Sequence, residues 1–381
     1  MQTYLEINLE NLKNNVQNLK SLLKKETKFL AVVKSNAYGH GLIETSRALV
    51  QFGADWFGVI NIDEAIDLRE AGIFKPILIL GAISAKDARL AANQDISVPI
   101  ISLSMAREIS DINFDKPLKI HLKIDTGLNR LGLEIGEIAE AVRLLKSNRN
   151  IEFEGIYSHL ASVEENDLAF TKLQIENFKK AVKILEENQI KNSIKHLGAT
   201  AAAILQPETH FDMVRCGIGL YGLWPSVENK KTYCLKHGEN FSLRSKNNFL
   251  MPVLSYKTEI IQIKKVGQGE KIGYGCTYEA KKDMTVGILP IGYYEGVDRG
   301  LSNCGQVIIS GIRCPIVGRV AMNMTIVEIS NVNVQLSNKV ATIIGQDGDE
   351  EIAADEIAEK LGTINYEIVT RLPAHIERRY I

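Results

Sequence analysis

A lysine stands where an apolar run ends, at Lys34 in the segment Ala31-Val-Val-Lys-Ser-Asn-Ala-Tyr-Gly-His-Gly41. An amine attacks a carbonyl only when deprotonated, so the usual lysine pKa of about 10.4 must fall by several units for this chemistry near pH 7. The apolar residues before Lys34 favour such desolvation, and the small polar loop after it suits close approach of a ligand. The alternative is a strand-end lysine that extends its amine into solvent.

The elements that position this lysine come from residues 1–225, where short apolar runs alternate with stretches of helical spacing. The strand candidates are Phe29–Val33, Trp56–Ile60, Ile77–Leu80, Val98–Ile101, Leu118–Ile124, Phe153–Tyr157, Ile194–Leu197 and Met213–Leu220. The helix candidates are Ile43–Phe52, Ile62–Ala71, Met105–Ile112, Ile135–Leu145 and Leu168–Leu185. This alternation, with about eight strands, predicts a closed (β/α)₈ TIM barrel, and an open doubly wound sheet is the competing fold. Catalytic residues of such a barrel lie where its strands end.

The composition changes near residue 225. Ser226–Asn248 is polar and is predicted to be a loop or linker. From Phe249 onward β-rich segments dominate, with one short helix at Ala354–Leu361. The β-rich segments are Val253–Val266, Met284–Tyr294, Gln306–Val320, Thr325–Ile329 and Val340–Ile344. The fold class is therefore α/β, with an N-terminal barrel followed by a mainly antiparallel β domain.

Composition excludes several classes of protein. The chain has 381 residues, with 45 Lys and Arg against 46 Asp and Glu, a balance that argues against nucleic-acid and membrane-surface partners. The sequence contains no apolar run of about 18 residues and no secretory signal at the N-terminus, so a cytoplasmic protein is expected. The five cysteines are irregularly spaced and no zinc-binding pattern occurs, so neither a disulfide framework nor a metal site is predicted.

The segment around Lys34 closely resembles the pyridoxal-phosphate signature of alanine racemases. Further blocks follow in the order of that family: His121–Gly132, Val214–Gly222, Gly273–Gly275, Pro290–Tyr293, Gly318–Asn323 and Thr363–Glu367. The resemblance implies a strand at residues 1–10 that joins the C-terminal domain, a barrel at 11–240 and a β domain at 241–381. It also implies a head-to-tail homodimer, in which each site lies between one barrel and the partner's C-terminal domain.

The resemblance assigns roles to four catalytic residues. Lys34 binds pyridoxal 5′-phosphate covalently and acts as the base on one face of the substrate, and Tyr274 of the other subunit is the base on the second face. His159 matches the residue that contacts this tyrosine. Arg215 matches the residue between His159 and the pyridine nitrogen of the cofactor. Because a guanidinium stays protonated, this ring nitrogen is expected to stay unprotonated.

The resemblance also implies which residues bind the cofactor phosphate and the substrate. The phosphate ligands are Tyr38, Tyr366 and Thr200, with the backbone N–H groups of Gly217 and Ile218. The substrate residues are Arg130, Met322, Asn323 and Tyr293, and Lys123 is a candidate for carbamylation. Two positions depart from the family: Ala199 replaces an asparagine, and Asn323 stands where aspartate is common.

The expected function is interconversion of L- and D-alanine, which supplies D-alanine for peptidoglycan. A serine or broad-specificity racemase on the same scaffold is the first alternative, and an amino-acid decarboxylase with the same barrel is another. A non-enzymatic pyridoxal-phosphate carrier would lack the C-terminal domain. Gly217–Gly222 also matches GxGxxG formally, but a polar segment follows it where a dinucleotide-binding fold needs a helix.

Overall fold

The structure is a computed structural model that describes residues 3–165, 167–238, 249–333 and 339–381. The chain forms two compact units. One comprises Leu12–Ala37 and Leu42–Met251, and the other comprises Met1–Asn11, Tyr38–Gly41 and Pro252–Ile381. The domain boundary expected at 240/241 lies in 239–248, outside the described residues.

The first unit contains a closed barrel, which the described residues build from eight parallel strands. In order, the strands are Lys28–Val32, Trp56–Val59, Ile77–Ile79, Ile96–Ile100, Leu118–Lys123, Ile151–Tyr157, Ile194–Ala199 and Met213–Cys216. The first strand pairs with the last in parallel, with Phe29 opposite Val214. This closure confirms the predicted TIM barrel and rules out the open sheet.

Helices alternate with these strands. Their bounds are Leu9–Ser21, Leu42–Gln51, Ile62–Glu70, Ala85–Asn93, Leu103–Ser110, Ile138–Lys146, Ala169–Glu187, Thr200–Leu205 and Val227–His237. The helix Ala85–Asn93 was not predicted, because its inner face consists of alanines rather than large apolar residues. Its start is instead fixed by Ser84, whose side chain forms a reciprocal capping box with Asp87.

The prediction of a linker over Ser226–Asn248 is wrong for its first half. Val227–His237 is a helix that begins at Ser226, whose hydroxyl accepts the Asn229 N–H at 3.1 Å, and ends at the left-handed Gly238. Its buried side chains are few, so no apolar stripe marked it in the sequence. The rest of the predicted linker lies outside the described residues.

The second unit is mainly antiparallel, as predicted. Its larger sheet runs in the order Ile312–Pro315, Gln306–Ile309, Val340–Asp347, Leu254–Glu259, Tyr4–Ile7 and Glu377–Tyr380, with Glu350–Ile352 paired to Val340–Asp347. A three-stranded sheet has the order Gln262–Val266, Met284–Leu289 and Thr325–Glu328, and Lys271–Ile272 pairs with Tyr278–Glu279. Two helices, Ala354–Leu361 and Asn365–Thr370, complete this unit's longer elements.

Two features of this unit depart from simple sequence patterning. The predicted segment Val253–Val266 divides at Ile260, and its two halves join different sheets, because Ile260 N–H donates to Lys339 and Ile261 N–H to Ile288. The N-terminal strand Tyr4–Ile7 lies between two strands of the C-terminal region, antiparallel to one and parallel to the other. In the described part of the chain, no helix is long and apolar enough to cross a membrane.

Candidate active site

The backbone after the first barrel strand forms a left-handed turn. Ser35, Asn36, Ala37 and Tyr38 have φ angles of 56°, 55°, 52° and 52°. Each L-residue in this conformation costs roughly 1–2 kcal/mol. The sequence predicted only a small polar loop here. Such a run of strained residues beside Lys34 needs strong partners, and the structure provides them.

Glu64 is the principal partner of this turn. One oxygen of its carboxylate accepts the N–H groups of Ser35 at 2.6 Å and Asn36 at 3.3 Å, and the other accepts Ile60 N–H at 3.0 Å. Asn36 in turn accepts the N–H of Leu42 at 2.8 Å, where the next helix begins. The turn is thus fastened at both ends, and the direction in which Lys34 leaves the strand is fixed with it.

The Lys34 amine lies among other cations. Burial lowers its pKa, the charge of Arg130 lowers it further, and Glu64 partly opposes both effects. A depressed pKa increases the fraction of free amine, which is the form that attacks a carbonyl or accepts a proton. The surroundings therefore support the nucleophilic chemistry predicted from the sequence.

Arg215 is buried at the end of the last barrel strand and anchors the floor of this site. Its Nη2 donates to the carbonyl of Ser158 at 2.7 Å and Leu197 at 3.0 Å, and it lies 3.4 Å from His159 Nδ1. Burial and the Arg215 charge lower the pKa of His159 to about 3. His159 is therefore a neutral ring beside a fixed cation.

Two of the cations lie near the ring of Tyr157. The Arg215 guanidinium is 5.3 Å from the ring centroid, and the Lys123 amine is 5.6 Å from it. Burial, followed by the charges of Arg130 and Arg215, lowers the pKa of Lys123 to about 8. Arg130 sits on a loop organised by Asp125, whose carboxylate accepts the Arg130 N–H at 3.2 Å. Positive charge dominates this part of the barrel, which favours an anionic ligand.

A hydroxyl and a glycine-rich segment meet at the last two strands. Thr200 Oγ1 accepts the N–H of Gly217 at 3.1 Å and of Gly219 at 3.5 Å, and Ile218 begins a short 3₁₀ turn beside them. Because the hydroxyl accepts both bonds, its own proton stays available to an anion. A Cβ on Gly219 would approach Thr200 Cγ2 to 2.6 Å, so glycine is needed for this contact.

The second unit brings together Tyr38 and Tyr366, whose ring centroids are 6.2 Å apart. Gly39, beside Tyr38, packs tightly on the helix that carries Tyr366, since an added Cβ would lie 2.1 Å from the Val369 carbonyl oxygen. The two tyrosines that the resemblance assigned to phosphate binding are therefore neighbours, although they lie far apart in the sequence.

Three C-terminal motif blocks also converge within this unit. Tyr274 lies in a tight turn between the left-handed Gly273 and Gly275 and is 73% exposed. Gly275 packs against the Arg319 guanidinium, which belongs to the Gly318–Asn323 block.

That block also meets the Pro290–Tyr293 block. Tyr293 N–H donates to Ala321 at 3.1 Å, and a Cβ on Gly292 would lie 2.1 Å from the Ala321 carbonyl oxygen. Asn323 donates to Glu295 at 2.7 Å, and its neighbour Met322 is 55% exposed. Tyr274, Tyr293, Met322 and Asn323 are thus carried by one connected set of loops.

Several residues of this site have no role assigned from the sequence. Glu64 stands near the start of a helix after the second barrel strand, where an acidic residue usually only favours the helix dipole. His121 and His196 lie inside apolar strands, and polar residues at such positions are a signal that could have identified them. Both rings are fully buried, and they contact each other.

Comparison with known proteins places these observations in a family. Residues 7–225 match the family model for the alanine racemase N-terminal domain, and residues 253–380 match that for the alanine racemase C-terminal domain. An alanine racemase of Methanococcus maripaludis is 39% identical over 381 residues, covering 99% of this chain and 98% of the relative. One from Leptospira interrogans is 37% identical and covers 99% and 95%.

Solved structures agree. Alanine racemase from Bacillus anthracis with bound L-Ala-P superposes with a TM-score of 0.90 at 32% identity, covering 100% of this chain and 95% of the other. Alanine racemase from E. faecalis gives 0.90 at 34% identity and covers 100% and 98%. With both domains matched and relatives aligned over nearly their whole length, the chain belongs to the alanine racemase family.

Proposed function

We propose that this protein is a pyridoxal-phosphate-dependent racemase that interconverts L- and D-alanine, with D-alanine supplied to peptidoglycan synthesis. The observation that carries the proposal is the arrangement around Lys34: an amine of lowered pKa at the end of a barrel strand, with Arg130 and Arg215 in the same unit. Members of the family share both domains with this chain.

The residues fit pyridoxal 5′-phosphate. An anionic phosphate suits the Thr200 hydroxyl, whose proton is available, and the backbone N–H groups of Gly217 and Ile218 beside it. The hydroxyls of Tyr38 and Tyr366, whose rings are neighbours, are donors of the same kind. The Lys34 amine is the group that would hold the aldehyde. When bound, this cofactor withdraws electrons from the substrate Cα and makes its proton removable.

Three barrel residues have roles beside this group. Arg215 would face the pyridine nitrogen and keep it unprotonated, because a guanidinium retains its proton. Lys34 would move a proton on one face of the substrate. Its lowered pKa increases the fraction of free amine, which is the form that can accept this proton. His159 would orient the second base as a neutral ring.

We assign the second base to Tyr274 of the partner subunit, in a homodimer with shared sites. An exposed tyrosine in a tight turn between two left-handed glycines is suited to act on another surface. Mixing Lys34→Ala with Tyr274→Phe subunits should restore part of the activity, since one site of the mixed dimer has both bases. Lack of rescue after proven subunit exchange would place both bases in one chain.

Arg130, Tyr293, and the Met322–Asn323 segment are assigned to the substrate. Arg130 would bind the carboxylate, as would the backbone N–H of Met322, while Tyr293 would narrow the entry. Lys123 is assigned to carbamylation, in which its neutral amine adds to CO₂ and releases a proton. A pKa of about 8 leaves more neutral amine than an ordinary lysine has, and the product anion would face Arg130. Native mass spectra with only unmodified Lys123 would contradict this assignment.

The cellular compartment is proposed to be the cytoplasm. All five cysteines lie in described parts of the chain and none of them forms a disulfide there, which suits a reducing compartment. Cell fractionation tests this assignment, and recovery of the protein outside the cytoplasm would contradict it.

The experiment that tests the function measures loss of optical purity for each of the twenty L-amino acids. Alanine should racemise fastest, and Lys34→Ala should abolish both turnover and the visible absorption of the purified protein. Faster turnover of serine, or of many substrates alike, would favour a serine or broad-specificity racemase. Bound cofactor with no turnover of any amino acid would favour a non-enzymatic carrier.

A further inference from the structure

We propose that Glu154 is a positioning residue for Arg215, acting through two buried histidines that connect them across the barrel interior. Its role in catalysis rests on the proposed function, whereas the hydrogen-bonded row itself does not. The row consists of Glu154, His121, His196 and Arg215.

The row is continuous. Glu154 Oε2 lies 3.1 Å from His121 Nε2, His121 Nδ1 lies 2.8 Å from His196 Nε2, and His196 Nδ1 lies 3.0 Å from Arg215 Nη1. Both histidines are 0% exposed and Arg215 is 4% exposed. Because these groups are shielded from water, each ring nitrogen of the two histidines depends on its neighbour in the row for a partner.

The chemistry of the ends fixes the direction of every bond. A guanidinium only donates, so His196 Nδ1 must accept and its Nε2 must carry the proton. His196 then donates to His121 Nδ1, which leaves the second proton on His121 Nε2, directed at the Glu154 carboxylate. Both rings are therefore neutral Nε2–H tautomers. Every donor in the row then faces an acceptor, and the direction of donation runs from the Arg215 cation to the Glu154 anion.

The backbone is shaped to make these contacts. Ile120 pairs with Phe153 and His121 with Gly155, so Glu154 is the extra residue of a β-bulge. Such a bulge turns a side chain to a direction that a regular strand would not allow. Gly155 leaves room for the ring, since a Cβ there would lie 2.2 Å from His121 Nδ1. A second irregularity lies between His196 and Ala199 on the seventh strand.

The row connects the buried Arg215 cation to a counter-charge. The direct partners of Arg215 are carbonyl oxygens and neutral rings, and the charge of the nearby Lys123 amine opposes that of Arg215. Burying a guanidinium without a counter-charge is costly. Burial raises the pKa of Glu154, but the hydrogen bond and electrostatic attraction of His121, the hydrogen bond from Ser97 and the charge of Lys119 together outweigh this and hold it below the usual value. Glu154 is therefore the negative charge that is connected to the Arg215 cation through the hydrogen bonds of the two histidines.

Orientation follows from the same contacts. The His196 ring stacks on Tyr157 with centroids 4.8 Å apart and planes 10° apart, so the ring cannot turn freely. Nη1 lies 3.0 Å from this ring and donates to the His196 carbonyl at 3.0 Å, and these contacts set the plane of the guanidinium and hold Nη2 toward His159. Without Glu154, His121 has no acceptor for its Nε2–H and would gain by moving the proton to Nδ1. That change would set donor against donor along the row and remove the ring acceptor of Arg215 Nη1, which would keep only the His196 carbonyl.

The first test is the tautomeric state of the rings in the apo-protein, measured by long-range ¹H–¹⁵N correlation on histidine-labelled protein. His121 and His196 should both be neutral Nε2–H tautomers in the wild type and in Glu154→Gln, whose amide oxygen still accepts. In Glu154→Leu at least one ring should change its tautomer. An Nδ1–H tautomer or an imidazolium in the wild type, or unchanged rings in Glu154→Leu, would overturn the row.

The second test is kinetic, with Glu152→Leu as the control because that glutamate is exposed on the same strand. Glu154→Leu should lower kcat by about 2- to 30-fold with little change in KM, the size of effect expected for a residue that acts through a network. Glu154→Gln, which keeps the row, should lower kcat less. A wild-type kcat in a folded Glu154→Leu would overturn the positioning role. If the wild type racemises nothing while its rings have the expected tautomers, the proposed function fails and the row stands.

Discussion

Replacing Glu64 with glutamine should weaken cofactor binding, because this carboxylate holds the left-handed turn that follows Lys34. Its two oxygens serve three backbone donors, Ser35 and Asn36 on one side and Ile60 on the other. A glutamine has one accepting oxygen, so its NH₂ group must face a donor in either orientation. The strained turn then loses part of what compensates its unfavourable φ angles.

The magnitude follows from the number of bonds. A hydrogen bond to a charged group contributes about 1.5–3 kcal/mol, and the contacts at Ser35 and Ile60 are partly screened by solvent. We therefore count the equivalent of one full bond, about 1.5–3 kcal/mol. If the cofactor binds only when the turn is ordered, its dissociation constant should rise by about 10- to 150-fold.

The assay is equilibrium titration of apo-protein with pyridoxal phosphate, followed by its absorption. Glu70→Gln is the matched control, since Glu70 is exposed at the other end of the same helix. It should bind within about twofold of the wild type. A Glu64→Gln protein with an intact fold and wild-type affinity would refute the view that Glu64 organises the site.

Three other outcomes are expected. Thr200→Val should weaken cofactor binding about tenfold, because it leaves the Gly217 N–H without its acceptor. Thr200→Ser, which keeps the hydroxyl, should bind the cofactor nearly as well as the wild type. Equal affinities of the valine and serine variants for the cofactor would exclude a role of the hydroxyl in binding it. The pKa of His159, held at about 3, lies below that of the unfolded chain, so its contribution to stability is full above about pH 6.5 and is lost as the pH falls below that value. His159→Gln should therefore flatten the free energy of unfolding against pH between about 6.5 and 4, and an unchanged slope would contradict the assignment. Arg313→Ala should lower the unfolding free energy of the C-terminal unit by about 1–3 kcal/mol, since Arg313 binds Glu350 at 2.6 Å and Glu356 at 2.7 Å. Denaturant titration measures this loss, and a decrease no larger than that of the exposed pair variant Arg379→Ala would argue against it.

The sequence by itself determined the architecture and the residue types of the site. Strand candidates such as Leu118–Ile124 lie within one residue or so of the observed Leu118–Lys123, because alternation of apolar runs and helical spacing is a local property. The helix Ala354–Leu361 was predicted with its observed bounds. Helices with little apolar surface, such as Val227–His237, were not predicted, because their start depends on a single capping side chain.

Only the tertiary structure decided how the site residues are held and charged. The left-handed turn at 35–38 depends on a carboxylate about thirty residues away in the chain, and no local pattern predicts that bond. The pKa of His159 falls because the folded barrel buries its ring and brings Arg215, Arg130, Lys123 and Lys34 near it from three different strands. The direction of Glu154 depends on a bulge between two strands, which is a matter of register. Distances, burial and register are properties of the folded chain, and they turn a set of suitable residue types into a site.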